Sequence, residues 1–190
     1  MRSRTLAAAA LVLLLAGCGP SNVGSTPKEQ NAKMNMQEAA DRADAILDGT
    51  FAAIKPAVQW TPTYTVPAEC SVDRDRTVMT IISEQRRAAF LGVVERYWKS
   101  KGYELVDVSA NGLAANFKTE DGFQLQVLVG AHGQAHFSVT TPCVDESEVS
   151  APSSPPAGPD YSQQEVPPPN VHSSFWSSKD PLPSSTPNRA

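Results

Sequence analysis

The chain has 190 residues, of which 19% are charged, and a formal net charge of −4 at pH 7. A mildly acidic chain lacks the basic surface that nucleic-acid binding requires, so we expect no nucleic-acid partner. The apolar run over residues 6–16 is shorter than the roughly 20 residues that cross a bilayer, and no later segment is apolar enough. We therefore predict no transmembrane helix.

Residues 1–17 have the order of a secretory signal peptide, because Arg2 and Arg4 precede the apolar run and small residues end it. The next residue is Cys18, and residues 15–18, Leu-Ala-Gly-Cys, resemble the bacterial lipobox. The resemblance implies that the chain is cut just before Cys18, that its thiol is diacylated, and that the new N-terminus is fixed to a membrane. Two acyl chains on one residue give a stable anchor.

Residues 18–35 are small and polar and are predicted to form a flexible tether after the lipidated Cys18. Residues 36–145 carry nearly all of the periodic apolar pattern and are predicted to form one domain. A first helix is expected after Asn35, which fits an N-cap with Glu38 as its capping-box partner. Pro56 stops this helix.

Residues 58–66 alternate between apolar and polar side chains and are predicted to form a strand. Pro62 interrupts it, which places the strand at an edge or gives it a bulge. Residues 73–76, Asp-Arg-Asp-Arg, are interpreted as a charged turn, and residues 77–82 as a short buried strand. A second helix is predicted after Ser83 as its cap, with Gly102 as its stop.

Four more strands are predicted near residues 103–109, 112–118, 122–129 and 134–141. Asn-Gly and Asp-Gly pairs separate the first three, which is the strongest short hairpin signal. The expected fold class is α+β, a two-layer sandwich of two helices packed on one face of an antiparallel sheet. Residues 146–190 are rich in proline and serine and are predicted to be a disordered tail.

Two cysteines remain if Cys18 carries lipid. Exported compartments permit disulfides, so the simplest interpretation is one bridge between Cys70 and Cys143. Two free thiols are the alternative.

The sequence contains no nucleophile motif, phosphate-binding glycine loop or zinc-binding helix, so we expect no catalytic residues, metal or cofactor. His132 and His136 are interpreted as solvated surface residues. Four arginines form either a small basic patch for an anionic group or ion pairs with nearby carboxylates, and we favour the pairs. The arginines are Arg74, Arg76, Arg86 and Arg87, and the carboxylates are Asp73, Asp75 and Glu84.

Two features are candidates for binding. The first is a polar sheet face opposite the apolar one, which suits a glycan, a peptide or a partner protein, unless it is merely solvated. Its residues are Gln124, Gln126, His136, Ser138 and Thr140. The second is the aromatic pair Phe175 and Trp176 in the tail, which either anchors a partner or has no role.

Two segments together with the lipobox resemble uncharacterised secreted lipoproteins of actinobacteria, of the Streptomyces type. They run from Ile82-Ser83-Glu84 to Tyr97-Trp98-Lys99 and from Asp121-Gly122-Phe123 to Thr141-Pro142-Cys143. The resemblance implies a Gram-positive envelope, with the lipid in the outer leaflet of the cytoplasmic membrane, and it brings no catalytic residues.

We therefore expect an exported, membrane-anchored lipoprotein at the cell surface that works as a binding or interaction module of the envelope. The alternatives are an enzyme that acts on envelope material through an unrecognised site and a structural spacer protein.

Overall fold

Two helices cover one face of a six-stranded antiparallel sheet in the computed structural model, which describes residues 34–182. The helices are α1, Met36–Ala53, and α2, Glu84–Ser100. The strands are β1 Trp60–Pro67, β2 Val72–Val78, β3 Glu104–Val108, β4 Ala114–Lys118, β5 Gln124–Val129 and β6 Ala135–Thr140. Their order across the sheet is β1-β2-β6-β5-β4-β3. The predicted α+β two-layer fold is confirmed.

The predicted signal peptide, Cys18 and the tether up to residue 33 lie outside the described residues. None of the helices within residues 34–182 is long and apolar enough to cross a membrane.

Helix α1 begins with the predicted capping box. The Asn35 side chain accepts a hydrogen bond from the Glu38 backbone N–H at 2.9 Å, and the Asn35 N–H donates to the Glu38 carboxylate at 3.0 Å. Gly49 lies near the end of the helix, where α2 comes close: a Cβ at this position would overlap the Tyr97 hydroxyl. A glycine that weakens the helix locally therefore lets the two helices pack tightly.

Helix α2 begins and ends where the sequence predicts. Ser83 is its N-cap residue, but the Ser83 side chain does not cap the helix and donates to the Ser178 carbonyl instead. Gly102 follows the helix with a φ of 79°, a left-handed conformation that favours glycine.

The predicted charged turn over residues 73–76 is wrong, because these residues form most of β2. The strand predicted over residues 77–82 overlaps β2 only at residues 77 and 78, because β2 begins at Val72 and ends at Val78. Strand β1 lies at the sheet edge and its pairing with β2 is irregular between Pro62 and Thr65, as predicted.

Strand β2 is charged on its helix-facing side because α1 supplies counter-charges. Arg74 and Arg76 are each 1% exposed and Asp44 of α1 is 4% exposed. Arg74 Nε lies 3.2 Å from the Asp44 carboxylate, and Arg76 Nη1 lies 2.7 Å from that of Asp48. The Arg76 guanidinium also lies over the Trp60 ring, 4.0 Å from its centroid. Burial raises the pKa of Asp44, while Arg74 and Arg76 limit the rise.

Residues 146–182, which we call the strap, run over the domain. The strap pairs with the edge strand through the Trp60 N–H, which donates to the Ala157 carbonyl at 3.0 Å. It then follows the segment after β2, where Ile81 N–H donates to the Val171 carbonyl at 2.9 Å. This packing corrects the prediction of a disordered tail as far as residue 182, and residues 183–190 lie outside the described part of the chain.

The predicted tail anchor is part of the chain's own core. Trp176 is 1% exposed, its ring meets that of Phe90 edge-on at 5.3 Å, and its Nε1 donates to the Pro56 carbonyl at 2.6 Å. Phe175 is half-buried beneath the Arg86 guanidinium, which lies 5.2 Å from the ring centroid. The pair is therefore not presented to a partner, since the domain itself supplies the pocket.

Cys70 and Cys143 form the predicted disulfide, with their Cα atoms 4.7 Å apart. The bridge joins the segment between β1 and β2 to the segment that follows β6. The two residues are 73 positions apart, and closing a loop of this length contributes about 4 kcal/mol in the chain-entropy description.

Candidate functional site

The face of the sheet opposite the two helices carries polar side chains in rows that cross the strands; we call it the open face. Pairing places Asp75 beside Ser138, Ser138 beside Gln126, Gln126 beside Asn116, and Asn116 beside Asp107. These five residues form a central row that extends over β2, β6, β5, β4 and β3.

Hydrogen bonds link three of the five side chains of the central row, those of Gln126, Asn116 and Asp107. Asn116 Nδ2 donates to the Asp107 carboxylate at 2.8 Å, and Gln126 Nε2 donates to the Asn116 side-chain oxygen at 2.9 Å. At the other end of the row, Ser138 lies beside Asp75 on the neighbouring strand. Because neighbouring side chains hold one another in place, the row is partly preorganised for a ligand that crosses the strands.

A second and a third row flank the central one. On one side lie Asp73, Thr140, Gln124, Lys118 and Glu104, and on the other lie Thr77, His136 and Leu128. The Lys118 ammonium lies 3.2 Å from the Glu104 carboxylate, so its charge is already paired. All five residues that the sequence suggested for the binding face therefore lie on the open face.

The open face is concave. A depression of about 720 Å³ lies over β3, β4 and β5, and a second of about 500 Å³ lies toward β1 and the strap. Both are lined by Gln126 and Ser138, so they adjoin one another. Glu165 and Val166 of the strap line the second depression. Strap and sheet thus build this part of the surface together.

Carboxylates dominate the charge of the open face. They belong to Asp73, Asp75, Glu104, Asp107 and the strap residue Glu165. Asp73 and Asp75 each have an enclosed Oδ1 without a hydrogen-bond partner among residues 34–182. A cationic donor would form charge-assisted hydrogen bonds with the carboxylates that line the face.

Asp75 and His136 share the second depression. Burial raises the pKa of Asp75, with Asp73 adding to the rise and Ser138 opposing it. Burial lowers the pKa of His136, although Asp75 acts in the opposite direction. The Thr77 hydroxyl lies 3.2 Å from His136 Nδ1 but is buried, so this hydroxyl is not accessible to a substrate.

The suggested basic patch does not form, because its four arginines lie in three different environments. Arg74 and Arg76 pair inside the domain with α1, rather than with Asp73 and Asp75 as expected. Arg86 is buried and donates to the strap carbonyls of Phe175 and Asp180, at 3.0 and 2.6 Å. Arg87 lines a depression at the start of α2.

Sequence reasoning missed Asp75, Asn116, Asp107 and Glu165 as open-face residues. Asp75 was assigned to a turn, and Glu165 to a free tail. Asn116 carries a usable signal, because it alternates with the buried Ala115 and Phe117 along β4. His132 is exposed, whereas the His136 side chain is exposed on one side and has its Nδ1 enclosed against the buried Thr77 hydroxyl. Among residues 34–182 no three His, Cys, Asp or Glu side chains are grouped to hold a metal ion.

Comparisons with family models, with curated proteins and with solved structures find no significant match to this chain.

Proposed function

We propose that this chain is an exported, lipid-anchored protein of a Gram-positive envelope, and that its open face binds an extended, basic peptide segment of a partner. The anchor rests on the signal-peptide order and on the lipobox-like residues that end at Cys18. The binding role rests on one observation: a row of hydrogen-bonding side chains from Asp75 to Asp107 crosses five strands of the open face, and the Asp75 carboxylate has no ion-pair partner among residues 34–182.

The spacing of the row favours an extended ligand. Neighbouring strands lie about 4.8 Å apart, so a row over five strands spans about 20 Å. A chain that crosses the strands meets a hydrogen-bonding side chain on each of them. Its backbone groups can exchange hydrogen bonds with the amides of Gln126 and Asn116, which both donate and accept.

The charge of the face favours a basic ligand. Lys118, the lysine on the open face, is paired with Glu104. Asp73, Asp75 and Glu165 have no ion-pair partner among the described residues. Lysine or arginine side chains of a partner would form charge-assisted hydrogen bonds with these carboxylates. A neutral glycan would cover the same carboxylates without supplying a counter-charge, which is costly.

The anchor is tested by Cys18→Ser. This substitution removes the thiol that would carry lipid, so we expect the protein in the culture medium or retained as unprocessed precursor. Ser21→Ala, three positions after Cys18, is the matched control, because it leaves the Cys18 thiol in place. Unchanged membrane retention of the Cys18→Ser protein would contradict the anchor.

The open face is tested by an amide spectrum of the full mature chain during titration with an eight-residue peptide of alternating lysine and threonine. We expect shifts at Gln126, Asn116 and Ser138, and none with the matching glutamate–threonine peptide.

The double variant Asp75→Asn, Asp107→Asn should bind the lysine–threonine peptide at least about fivefold more weakly, since each lost ionic hydrogen bond contributes about 1.5–3 kcal/mol when well formed. Glu95→Gln on α2 is the control. Shifts confined to the helices, or equal binding of both peptides, would contradict the proposal.

A further inference from the structure

A depression of about 440 Å³ at the start of α2 brings together four basic side chains from three separate segments. Arg87 comes from α2, His132 from the turn between β5 and β6, and His172 and Lys179 from the strap. It is separate from the open face, and no step of the proposed function uses it.

These side chains have no counter-charge within the described part of the chain. None of the four forms an ion pair with a carboxylate of residues 34–182. Arg87 is half-buried, and its Nε is enclosed without a hydrogen-bond partner among the same residues. Among residues 34–182, Glu84 is the single carboxylate that lines the depression, and it is exposed.

The segments around the depression are fixed by their own contacts. His132 has a φ of 55°, and a Cβ on the next residue, Gly133, would overlap the Ile82 backbone. The strap is held by Ser177, whose hydroxyl donates to the Ile81 carbonyl at 2.7 Å. The basic side chains therefore project from a preformed frame, which reduces the ordering cost of binding.

The start of α2 adds a favourable field for an anion at the same place. The partial positive charge of a helix N-terminus attracts anions. The Ser83 hydroxyl, which could have capped the helix, is turned toward Ser178 of the strap. This contribution is secondary to the four basic side chains, which line one depression without a counter-charge among residues 34–182.

We propose that this depression binds a phosphate group. Arg87 supplies a planar donor set that matches phosphate oxygens, and Lys179 supplies a flexible ammonium. His132 and His172, which line the same depression, add ring N–H donors. Phosphate is available to an envelope protein as a soluble ion or as the headgroup of an anionic lipid, and the shared chemistry is the phosphate oxygens.

The test measures binding of inorganic phosphate to the full mature chain carrying Cys18→Ser, by amide shifts and by calorimetry. We expect saturable shifts at Arg87, His132 and His172. Arg87→Gln and, separately, His172→Gln should each weaken binding at least about fivefold. Arg96→Gln, which removes an exposed charge elsewhere on α2, should leave binding unchanged. A thermal melt of each variant checks that its fold is intact.

Vesicles distinguish the two sources of phosphate. Sedimentation with phosphatidylglycerol vesicles that is lost in Arg87→Gln and absent with phosphatidylcholine identifies a lipid headgroup, whereas binding of inorganic phosphate alone identifies a soluble ion. Absence of binding in both arms would overturn the inference. Binding that survives both Arg87→Gln and His172→Gln unchanged would overturn it as well.

Discussion

The carboxylate of Asp44 on α1 lies 3.2 Å from Arg74 Nε on β2, and both side chains are buried. This pair explains why a strand inside the sheet has the sequence Asp-Arg-Asp-Arg. The arginines face α1 and its carboxylates, while Asp73 and Asp75 face the opposite side and contribute to the open face. One strand therefore supplies both the ionic core and part of the site.

Removing Asp44 should destabilise the domain strongly. Asp44→Ala leaves Arg74 buried without its ionic partner, and breaking a buried pair in this way costs about 3–5 kcal/mol. Urea unfolding measures the change. Glu104→Gln is the control, because both side chains of its ion pair with Lys118 are largely exposed and the pair should contribute about 0–1 kcal/mol. Equal effects of the two substitutions would contradict the assignment of a buried centre at Asp44.

Trp176 should contribute as much as a core residue although it lies in a proline-rich segment. Trp176→Ala removes a fully buried ring that packs on Phe90, and such truncations cost about 3–5 kcal/mol. Leu182→Ala, at an exposed position of the strap, should change the unfolding free energy by less than about 0.5 kcal/mol. If Trp176→Ala unfolds at the same urea concentration as the parent chain, the strap is not part of the core.

The disulfide should stabilise the domain under oxidising conditions. Replacing Cys70 and Cys143 together by serine opens a loop whose closure contributes about 4 kcal/mol. Unfolding of the parent chain should shift with reductant, and unfolding of the double variant should not. Identical transitions of the oxidised parent and the double variant would contradict a stabilising bridge.

The stability of the domain should depend on pH through His136. Its pKa is lowered in the fold by burial, so the unfolded chain binds the proton more readily. The contribution of His136 is therefore fully present above its ordinary pKa of 6.5 and is lost as the pH falls through the lower, folded value. The parent chain should lose more stability than His136→Gln between pH 7.5 and pH 5. Parallel losses in urea unfolding at the two pH values would exclude this role.

Local signals account for the parts of the fold that the sequence predicted. The capping box at Asn35, the stop at Gly102 and the Asn-Gly and Asp-Gly turns each act over a few residues, so the printed order of residues reveals them. The helices and the four C-terminal strands follow from these signals and from apolar periodicity.

The misassigned parts depend on contacts between distant residues. The arginines of β2 are compatible with a buried strand only because Asp44 lies 30 positions before Arg74. The strap is ordered by a single tryptophan in a pocket beside Phe90, 86 positions earlier, and by backbone hydrogen bonds that composition does not reveal. Asp75 and Glu165 of the candidate site were missed for the same reason.

The central claim is that the open face contacts a partner at the cell surface, and crosslinking in living cells tests it most directly. Gln126, in the middle of the central row, is replaced by the photoreactive residue benzoylphenylalanine in the lipid-anchored chain, and Ala88, exposed on α2, is replaced in a control. The account predicts a discrete crosslinked adduct from position 126, lost when Asp75 and Asp107 are also changed to asparagine, and no adduct from position 88. Absence of an adduct at position 126, or the same adduct from both positions, would contradict it.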